Sequence, residues 1–408
     1  MQNVDRRAFL ATLLATPSAS LMAADWNQWR GPSRDGTIRQ GEWPVTLDGM
    51  TEVWRKPLQP SYSGPIVENG RVFVTETRDK KEEAVTALQL NDGAEIWSQS
   101  WSGSMKVPFF AASNGSWIRS TPAVSNNRIL VAGMRDVLVC LDATTGSELW
   151  RNDFVETQKS DLPSFGFVCS PLIVDDVAFV QAGGGLLKIS METGQVIWRS
   201  LADGGGMYGS AFSSPVMATI AGTEQLLVQT RKDLAGVDPQ DGRKLWSVEI
   251  PAFRGMNILP PTVYQDSIFT SSYGGGSFRF DLKKSGDEWQ VSQKWKNTVQ
   301  GYMSSPMVFG DHVYLHLKNR RFTCMDLQTG SQKWSSRPFG KYWSAVAMDD
   351  RILALDERGE LLLIQPNDKE FTVIGQRSVA SDAWAHLAVV DDLVLVRDLE
   401  ALIVLRWT

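Results

Sequence analysis

The most frequent pattern in the chain is a short hydrophobic run followed by a polar turn and a second strand-like segment. Val137 to Leu141 is such a run, Asp142 to Ser147 is the turn, and the following segment ends at Trp150. Short apolar runs bounded by turn residues favour β-strands. Gly146 supplies the positive φ that closes the turn. The pattern therefore predicts a β-hairpin.

This hairpin recurs along the chain, with a glycine four residues before a tryptophan in each regular copy. The pairs are Gly93 and Trp97, Gly146 and Trp150, Gly194 and Trp198, Gly242 and Trp246, and Gly330 and Trp334. A further copy, from Asp281 to Trp295, is stretched by an insertion around residues 283–290. The large flat indole can wedge against a neighbouring unit. Repetition at this interval indicates an array of similar supersecondary units.

A pair of short strands precedes each hairpin and opens with a small residue followed by proline. Examples are Thr121-Pro122, Ser170-Pro171, Ser214-Pro215 and Ser305-Pro306. Proline is tolerated there because its missing N–H lies at the end of the strand ladder. Four short strands in about 45 residues match one propeller blade. Openings occur near Pro65, Pro122, Pro171, Pro215, Pro261, Pro306, Ser344 and Leu387. The sequence therefore predicts an all-β, eight-bladed propeller.

The eighth unit lacks an outer strand. Its missing strand has a counterpart near the N-terminus, where Thr51 to Arg55 copies Ser147 to Arg151 almost letter for letter. We expect residues 51–58 to pair beside Leu402 to Leu405, which closes the ring of a single domain over 51–408 and leaves no open edge. The repeat tryptophans that we expect to pack between blades are Trp54, Trp97, Trp150, Trp198, Trp246, Trp295 and Trp334.

The repeat pattern A-x-D-x-x-T-G-x-x-x-W resembles that of the PQQ-like propellers. This superfamily includes quinoprotein alcohol dehydrogenases and BamB-type outer-membrane assembly factors. The lead-in Asp25-Trp26-Asn27-Gln28-Trp29-Arg30-Gly31-Pro32 is also similar to the start of exported PQQ-like proteins. The resemblance implies the fold over residues 51–408. It leaves the function open, because the same fold hosts enzymes and scaffolds.

The first 24 residues differ from the rest of the chain. Arg6 and Arg7 precede the apolar run Ala8 to Leu14, and small residues lead to Ala23-Ala24. This order predicts an export signal over residues 1–24 that is too short to span a bilayer, followed by a lead-in segment over 25–50. The paired arginines resemble the twin-arginine export motif, with ordinary secretion as the alternative. We expect a periplasmic or extracellular protein, without a lipid anchor because no cysteine precedes Cys140.

Composition narrows the possible partners. Lys and Arg number 41 and Asp and Glu 46, which gives a net charge of −5 and argues against a nucleic-acid ligand. Cys140, Cys169 and Cys324 cannot form a disulfide framework in a chain of 408 residues, and we expect buried small hydrophobes. No run after the signal approaches the length of a transmembrane segment. A monomer is expected.

We predict no catalytic, cofactor-binding or metal-binding residues. The resemblance to quinoprotein dehydrogenases would imply PQQ held over Ca²⁺, in many cases with a disulfide between adjacent cysteines, but no Cys-Cys pair occurs. His312 and His316 lie on a predicted strand, where a four-residue step spans ~13 Å and cannot serve one zinc ion. Gly204 to Gly209 fits G-x-G-x-x-G but precedes a strand rather than a helix. The mixed charges of residues 78–83 predict a solvated hairpin.

Residues just upstream of the inner strands should face the propeller axis. They are Tyr62, Arg119, Val168, Phe212, Ile258, Met303, Tyr342 and Trp384. Two interpretations stay open: the side chains plug the channel, or they form a recognition surface, because aromatic and arginine side chains dominate interface hot spots. In the second case the site comprises Arg119, Phe212, Tyr342 and Trp384, flanked by Phe109, Phe110 and Trp117 on the long loop 102–120.

The sequence thus favours an exported, non-enzymatic binding or scaffold protein of the cell envelope. Its partner would be a protein or peptide, and the lone arginine among aromatic residues suits a carboxylate or a peptide terminus. No cofactor is expected. The alternative function is that of a PQQ-dependent alcohol dehydrogenase with Ca²⁺.

Overall fold

The computed structural model describes residues 25–39, 43–203 and 211–407. Their strands form eight four-stranded antiparallel sheets, so the predicted eight-bladed propeller is confirmed. The chain also contains a helix, Phe154–Gln158, and two 3-10 turns, Phe109–Asn114 and Phe253–Gly255. Within the described ranges, no helix is long and apolar enough to cross a membrane.

Each blade runs from an inner strand at the axis to an outer strand at the rim. Blades one to four contain β2 (Ile66–Glu68), β3 (Arg71–Arg78), β4 (Glu82–Gln89) and β5 (Glu95–Ser102); β6 (Ala123–Ser125), β7 (Arg128–Gly133), β8 (Val137–Asp142) and β9 (Glu148–Asp153); β10 (Leu172–Val174), β11 (Val177–Ala182), β12 (Gly185–Ser190) and β13 (Val196–Ser200); β14 (Val216–Ile220), β15 (Thr223–Gln229), β16 (Asp233–Val237) and β17 (Lys244–Glu249). Blades five to eight contain β18 (Thr262–Tyr264), β19 (Ser267–Ser272), β20 (Gly276–Ser285) and β21 (Glu288–Asn297); β22 (Met307–Phe309), β23 (His312–His316), β24 (Arg321–Asp326) and β25 (Gln332–Pro338); β26 (Trp343–Met348), β27 (Arg351–Asp356), β28 (Glu360–Gln365) and β29 (Thr372–Ser378); β30 (Ala388–Val390), β31 (Leu393–Arg397), β32 (Ala401–Arg406) and β1 (Thr51–Pro57).

The ring closes through strands from the two ends of the propeller domain. β1 pairs antiparallel with β32, so that Trp54 lies opposite Val404 and Arg55 opposite Ile403. This is the pairing that the sequence predicts. Trp54 is buried and its Nε1 donates a hydrogen bond of 2.8 Å to the Leu90 carbonyl of blade one. The closing strand is therefore also fastened to the neighbouring blade.

Five of the repeat tryptophans pack against the glycine turn of the next blade: Trp54, Trp97, Trp150, Trp198 and Trp295. The ring of Trp97 covers Gly146, whose φ is +75° and where a Cβ would lie 2.6 Å from the indole. Only glycine fits here, because any other residue would be strained at this positive φ and its Cβ would also displace the indole ring. The Nε1 of Trp97 donates to the Ala143 carbonyl at 3.1 Å. Equivalent bonds join Trp150 to Met191, Trp198 to Gln240, Trp295 to Leu327 and Trp334 to Asn367.

Trp246 packs in one buried cluster with Phe280 and Leu282 of blade five, but its hydrogen bond departs from this rule. Its Nε1 donates to the Gln225 Oε1 at 2.7 Å, within its own blade. The reason lies in blade five, where the long hairpin of β20 and β21 replaces the short glycine turn. Trp246 instead covers Gly236 of β16, where a Cβ would lie 2.2 Å from the indole nitrogen.

The lead-in segment crosses the central channel and plugs one end of it. Trp26 forms an antiparallel bridge with Val67 of blade one, and Thr37 forms a parallel bridge with Ala347 of blade seven. Between these bridges, the Asn27 carbonyl accepts a hydrogen bond of 2.9 Å from the N–H of Val124 in blade two. The segment thus lies against the inner strands of three blades.

Two buried arginines fasten this plug. Arg34 donates to the carbonyls of Pro171 at 2.6 Å and Ser170 at 3.0 Å, both in blade three. Arg30 donates to the Pro306 carbonyl of blade six at 3.0 Å and to the Asp35 carbonyl at 2.6 Å. Both side chains are nearly inaccessible to solvent, so their charge is balanced by backbone carbonyl dipoles.

Hydroxyl groups of Thr121, Ser170 and Ser214, each directly before a proline, link blades one to four beside the channel. The N–H of Gly64 donates to the Thr121 Oγ1 at 3.1 Å, the N–H of Thr121 to the Ser170 Oγ at 3.1 Å, and the N–H of Ser170 to the Ser214 Oγ at 2.9 Å. The small residue before each proline therefore satisfies a buried N–H of the preceding blade, which a strand ladder does not reach.

Several sequence expectations concern single residues or segments. Cys140, Cys169 and Cys324 are buried and unpaired, as predicted, and burial raises the pKa of each thiol to about 11. The export signal over residues 1–24 and the G-x-G-x-x-G run over residues 204–209 lie outside the described residues.

Candidate binding site at the mouth of the channel

A cavity of about 230 Å³ lies at the axial end opposite the plug. All eight residues that the sequence places around the axis line it. The lining consists of Trp29, Tyr62, Val107, Ala111, Asn114, Gly115, Arg119, Thr121, Phe165, Val168, Ser170, Phe212, Ser214, Met256, Ile258, Pro260, Met303, Ser304, Ser305, Tyr342, Trp384 and His386. Arg119 is the one residue among them with a full charge.

One wall of the cavity is a stack of aromatic rings from blades one, seven and eight. The rings of Tyr62 and Trp384 are nearly parallel, with centroids 4.4 Å apart and an interplanar angle of 13°. The ring of Tyr342 lies 3.6 Å from that of Trp384. Stacked rings hold each other in fixed positions, so this wall is formed in advance of any ligand.

Arg119 lies beside this wall, with its Cζ 5.7 Å from the centroid of the Tyr62 ring. Its Nε donates to the Trp117 carbonyl at 3.3 Å. Among the described residues, its terminal guanidinium nitrogens have no hydrogen-bond partner and no carboxylate within salt-bridge distance. Burial lowers the pKa of Arg119 to about 10, and electrostatic interactions with Tyr62, Tyr342 and Glu83 act in the opposite direction. The group therefore stays cationic at neutral pH and has free donors.

The phenol groups of Tyr62 and Tyr342 supply further donors. Both hydroxyls are buried and have no hydrogen-bond partner within the part of the chain that the structure describes. Burial raises the pKa of both phenols, while the positive charge of Arg119 acts in the opposite direction on each. They are therefore neutral O–H groups near the guanidinium. A buried hydroxyl without a partner costs stability, and a bound acceptor would remove that cost.

The floor of the cavity comes from a segment that the sequence-based site did not include. Trp29 of the plug meets His386 edge to face, with ring centroids 5.4 Å apart. Arg30 and Arg34 lie 5.5 and 5.4 Å from the centroid of the Trp29 ring. Burial, and then the charge of Arg30, lower the pKa of His386 to about 3. His386 is therefore neutral and adds no second cation at neutral pH.

An aromatic track runs from the surface into the cavity. Phe109 and Phe110 are 91% and 51% exposed, and their ring centroids are 5.7 Å apart. Phe110 lies 6.2 Å from Phe165, which in turn lies 5.6 Å from Phe212 in the cavity wall. Phe109 and Phe110 are thus connected to the cavity wall through ring contacts. Phe165, which the sequence analysis missed, joins them to the cavity.

Trp117 lies in the same loop as Phe109 and Phe110. Its ring does not line the cavity and lies against Gly115, where a Cβ would be 2.2 Å from the indole nitrogen. With φ at +83°, Gly115 is the residue that this turn requires. Trp117 therefore shapes the loop, and its carbonyl positions Arg119 through the bond from Nε.

Glu83 corrects the expectation of a solvated hairpin over residues 78–83. Its side chain is fully buried and accepts hydrogen bonds from Trp101 Nε1 at 3.2 Å and from the N–H of Met134 at 2.8 Å. Burial raises the pKa of Glu83 to about 7, although both hydrogen bonds and the charges of Arg119 and Arg135 oppose the shift. It forms no direct ion pair with Arg119.

The donor set of the cavity does not fit a quinone bound over calcium. Ca²⁺ takes six to eight oxygen ligands, usually including carboxylates, whereas the described residues that line the cavity include neither a carboxylate nor a cysteine. Across the described ranges, no group of three or more His, Cys, Asp and Glu side chains is arranged for a metal ion. His316 is stacked on Trp343 with ring centroids 5.1 Å apart, which accounts for its burial without a metal.

Fold and site together define the class. The protein is an eight-bladed β-propeller of PQQ-like repeats with an axial cavity. A family model described as "Outer membrane protein assembly factor BamB" matches residues 80–336, and the chain belongs to this family. BamB of Shewanella oneidensis is 24% identical over 311 residues, which cover 70% of this chain and 74% of that protein.

Solved structures share the architecture at low identity. BamB from Moraxella catarrhalis superposes with a TM-score of 0.62 at 13% identity, covering 88% of this chain and 100% of that chain. A quinohemoprotein alcohol dehydrogenase from Comamonas testosteroni gives a TM-score of 0.61 at 13% identity, covering 94% of this chain and 80% of that chain. An assembly factor and an enzyme thus match equally well, and the likeness shows the fold alone.

Proposed function

We propose that this protein is an exported, non-enzymatic scaffold of the cell envelope that captures a protein partner at the axial cavity. The family and its relatives carry the name of an outer membrane protein assembly factor, which supports a role in the envelope. The observation that carries the proposal is Arg119, a cation with free donors in an aromatic cavity. Arginine and aromatic side chains are the residues that most often dominate protein interfaces.

Capture can be tested in cells with a photo-crosslinking amino acid. Placed at Phe110, beside the mouth, it should give a defined adduct with a second protein. The same group at Ile197, which is 53% exposed on the outer strand of blade three, is the matched control and should give none. Trp384→Ala should abolish the adduct at position 110. An adduct at both positions, or at neither, contradicts the proposal.

Export is part of the same proposal and rests on Arg6 and Arg7. Replacing both with lysine should leave the protein in the cytoplasm if the twin-arginine route carries it. Fractionation followed by immunoblotting measures the outcome. Normal export of the double variant would favour ordinary secretion.

The proposed scaffold acts as a monomer and needs no cofactor. PQQ and Ca²⁺ added to the purified mature protein should leave the tryptophan fluorescence unchanged and should give no alcohol oxidation with an artificial electron acceptor. Turnover that requires both PQQ and Ca²⁺ would overturn the non-enzymatic assignment.

A further inference from the structure

The axial cavity combines one cluster of donors with an apolar remainder, and this division suggests the part of a partner that it accepts. Building on the proposed capture of a protein partner, we propose that the cavity binds the C-terminal residue of an extended peptide. Arg119, Tyr62 and Tyr342 hold its free carboxylate, and the apolar wall takes its last side chain.

The donors match a carboxylate in number and charge. The terminal nitrogens of Arg119 and the hydroxyls of Tyr62 and Tyr342 have no partner among the described residues. A carboxylate offers two oxygens with about four acceptor sites and pairs with guanidinium in two parallel hydrogen bonds. None of the cavity-lining residues within the described ranges is an acid that would repel it. Neutral peptide groups would leave the positive charge of Arg119 unbalanced.

The rest of the lining selects an apolar side chain. Val168, Phe212, Ile258 and Met303 form the part of the wall contributed by blades three to six. A volume of about 230 Å³ is limited, and the plug closes the cavity below with Trp29. The cavity therefore accommodates a chain end and not a segment that passes through. A partner must present its terminus.

The aromatic track gives the preceding residues a path. Successive ring centroids from Phe109 to Phe212 are 5.7, 6.2 and 5.6 Å apart. Side chains on one face of an extended peptide repeat every second residue, at roughly 6.5–7 Å. Alternate apolar side chains of the ligand can thus lie along the exposed rings of Phe109 and Phe110. This track favours a peptide over an isolated small acid.

Titration calorimetry on the mature protein tests the proposal with three probes. They are an N-acetylated pentapeptide ending in leucine with a free carboxylate, the same peptide with an amidated end, and N-acetyl-leucine. We expect the free peptide to bind at least about 10-fold more tightly than the amide, because a charge-assisted bidentate pair is lost. Arg119→Gln should remove this difference. Arg151→Gln, on the outer strand of the same blade, should keep it.

The aromatic track is tested by a second pair of variants, one on the track and one control. Phe110→Ser should weaken binding of the free pentapeptide several-fold and leave N-acetyl-leucine unaffected. Phe253→Ser is the control, because Phe253 is 49% exposed beside Tyr273 and neither residue lines the cavity. Equal binding of N-acetyl-leucine and the pentapeptide would assign the site to small acids and overturn the peptide assignment.

Equal binding of acid and amide, or binding of neither at about 1 mM, would also overturn this inference. The proposed function would survive such a result if the crosslinked adduct at position 110 still formed and still depended on Trp384. Carboxylate-dependent binding without any adduct in cells would instead contradict the proposed function.

Discussion

The two ends of the central channel both hold buried arginines, but the partners of these arginines differ. At the plugged end, the terminal nitrogens of Arg30 and Arg34 donate to backbone carbonyls of blades three and six. At the open end, Arg119 makes one bond, through Nε, to its own loop. Burial lowers the pKa of all three to about 10. Burial alone therefore does not distinguish the groups.

The difference lies in the hydrogen-bond partners of each guanidinium group. The plug arginines replace the strand pairing that the lead-in cannot make with blades three and six, so they contribute to folding. Arg119 has donors left over and an adjoining cavity, and it is the arginine that we propose to act in binding. Proteins retain such uncompensated groups mainly at functional sites. The comparison can be tested by removing the same side chain from each end.

The largest effect is expected at the plug. Arg34→Ala leaves the carbonyls of Ser170 and Pro171 without their donors and should lower the free energy of unfolding by about 3–5 kcal/mol, since hydrogen bonds to charged groups contribute about 1.5–3 kcal/mol each. Urea denaturation measures it. The exposed Arg151→Ala serves as control and should cost less than about 1 kcal/mol. Equal losses for both variants would refute the role of the plug.

The next effect concerns Glu83, the buried acid that acts on Arg119 from blade one. The pKa of Glu83 is about 7 in the folded protein and near 4.5 when unfolded. Between these values the folded state binds more protons, so the free energy of unfolding falls as pH rises, by about 3 kcal/mol in total. Glu83→Gln should lack this loss, so that its stability relative to the parent increases from pH 5 to pH 8.

The comparison between variant and parent matters for the Glu83 experiment because His386 titrates in the opposite sense. Its pKa is lowered to about 3, so its contribution is present above the unfolded value of about 6.5 and is lost as pH falls. The contribution of His386 is the same in the parent and in Glu83→Gln, so it cancels when their free energies of unfolding are compared. A pH-independent difference would show that Glu83 is ionised in the fold throughout.

A smaller effect is expected for Arg119 itself. Arg119→Ala removes one hydrogen bond and relieves the burial of an unpaired charge, so the free energy of unfolding should change by less than about 1 kcal/mol. The contrast with Arg34→Ala is the direct test of the two ends. A loss comparable to that of Arg34→Ala, measured by the same denaturation, would make Arg119 a structural residue and the ring a channel lining only.

The smallest effect belongs to the tyrosine hydroxyls. Tyr62→Phe and Tyr342→Phe keep the stacked wall and remove only unpartnered O–H groups, so stability should stay within about 0.5 kcal/mol or rise. Binding of the free-carboxylate peptide should nevertheless weaken. Stability loss beyond about 1 kcal/mol in thermal melts would indicate that these hydroxyls already have partners in the folded protein.

The blade architecture could be predicted from sequence because its determinants repeat. The turn glycine equivalent to Gly146 contacts the tryptophan equivalent to Trp97 of the preceding blade in several blades. Because this contact recurs, the spacing of glycine and tryptophan in the sequence predicts it. Trp246 was the exception, because its environment depends on a change in the following blade. The axial positions of Arg119 and Trp384 also followed from the repeat, since the equivalent residue of each repeat lies at the channel.

The plug and Glu83 could not be predicted, because each occurs once and depends on distant residues. Arg34 bonds to residues 136 and 137 positions away, and Arg30 to one 276 positions away. No local pattern encodes such contacts. Glu83 lies in a charged run that is typical of a solvated turn, and only the packing of Trp101 and Met134 over it makes it buried.

The pairing of β1 with β32 also has a kinetic consequence. Trp54 meets Val404 across almost the whole domain, and closing a loop of several hundred residues costs about 5 kcal/mol of chain entropy. During synthesis β1 can contact blade one through Trp54 and Leu90, but its strand pairing waits until β32 emerges. Opening of this seam between the two strands would expose the edges of β1 and β32, and exposed strand edges are sites of aggregation.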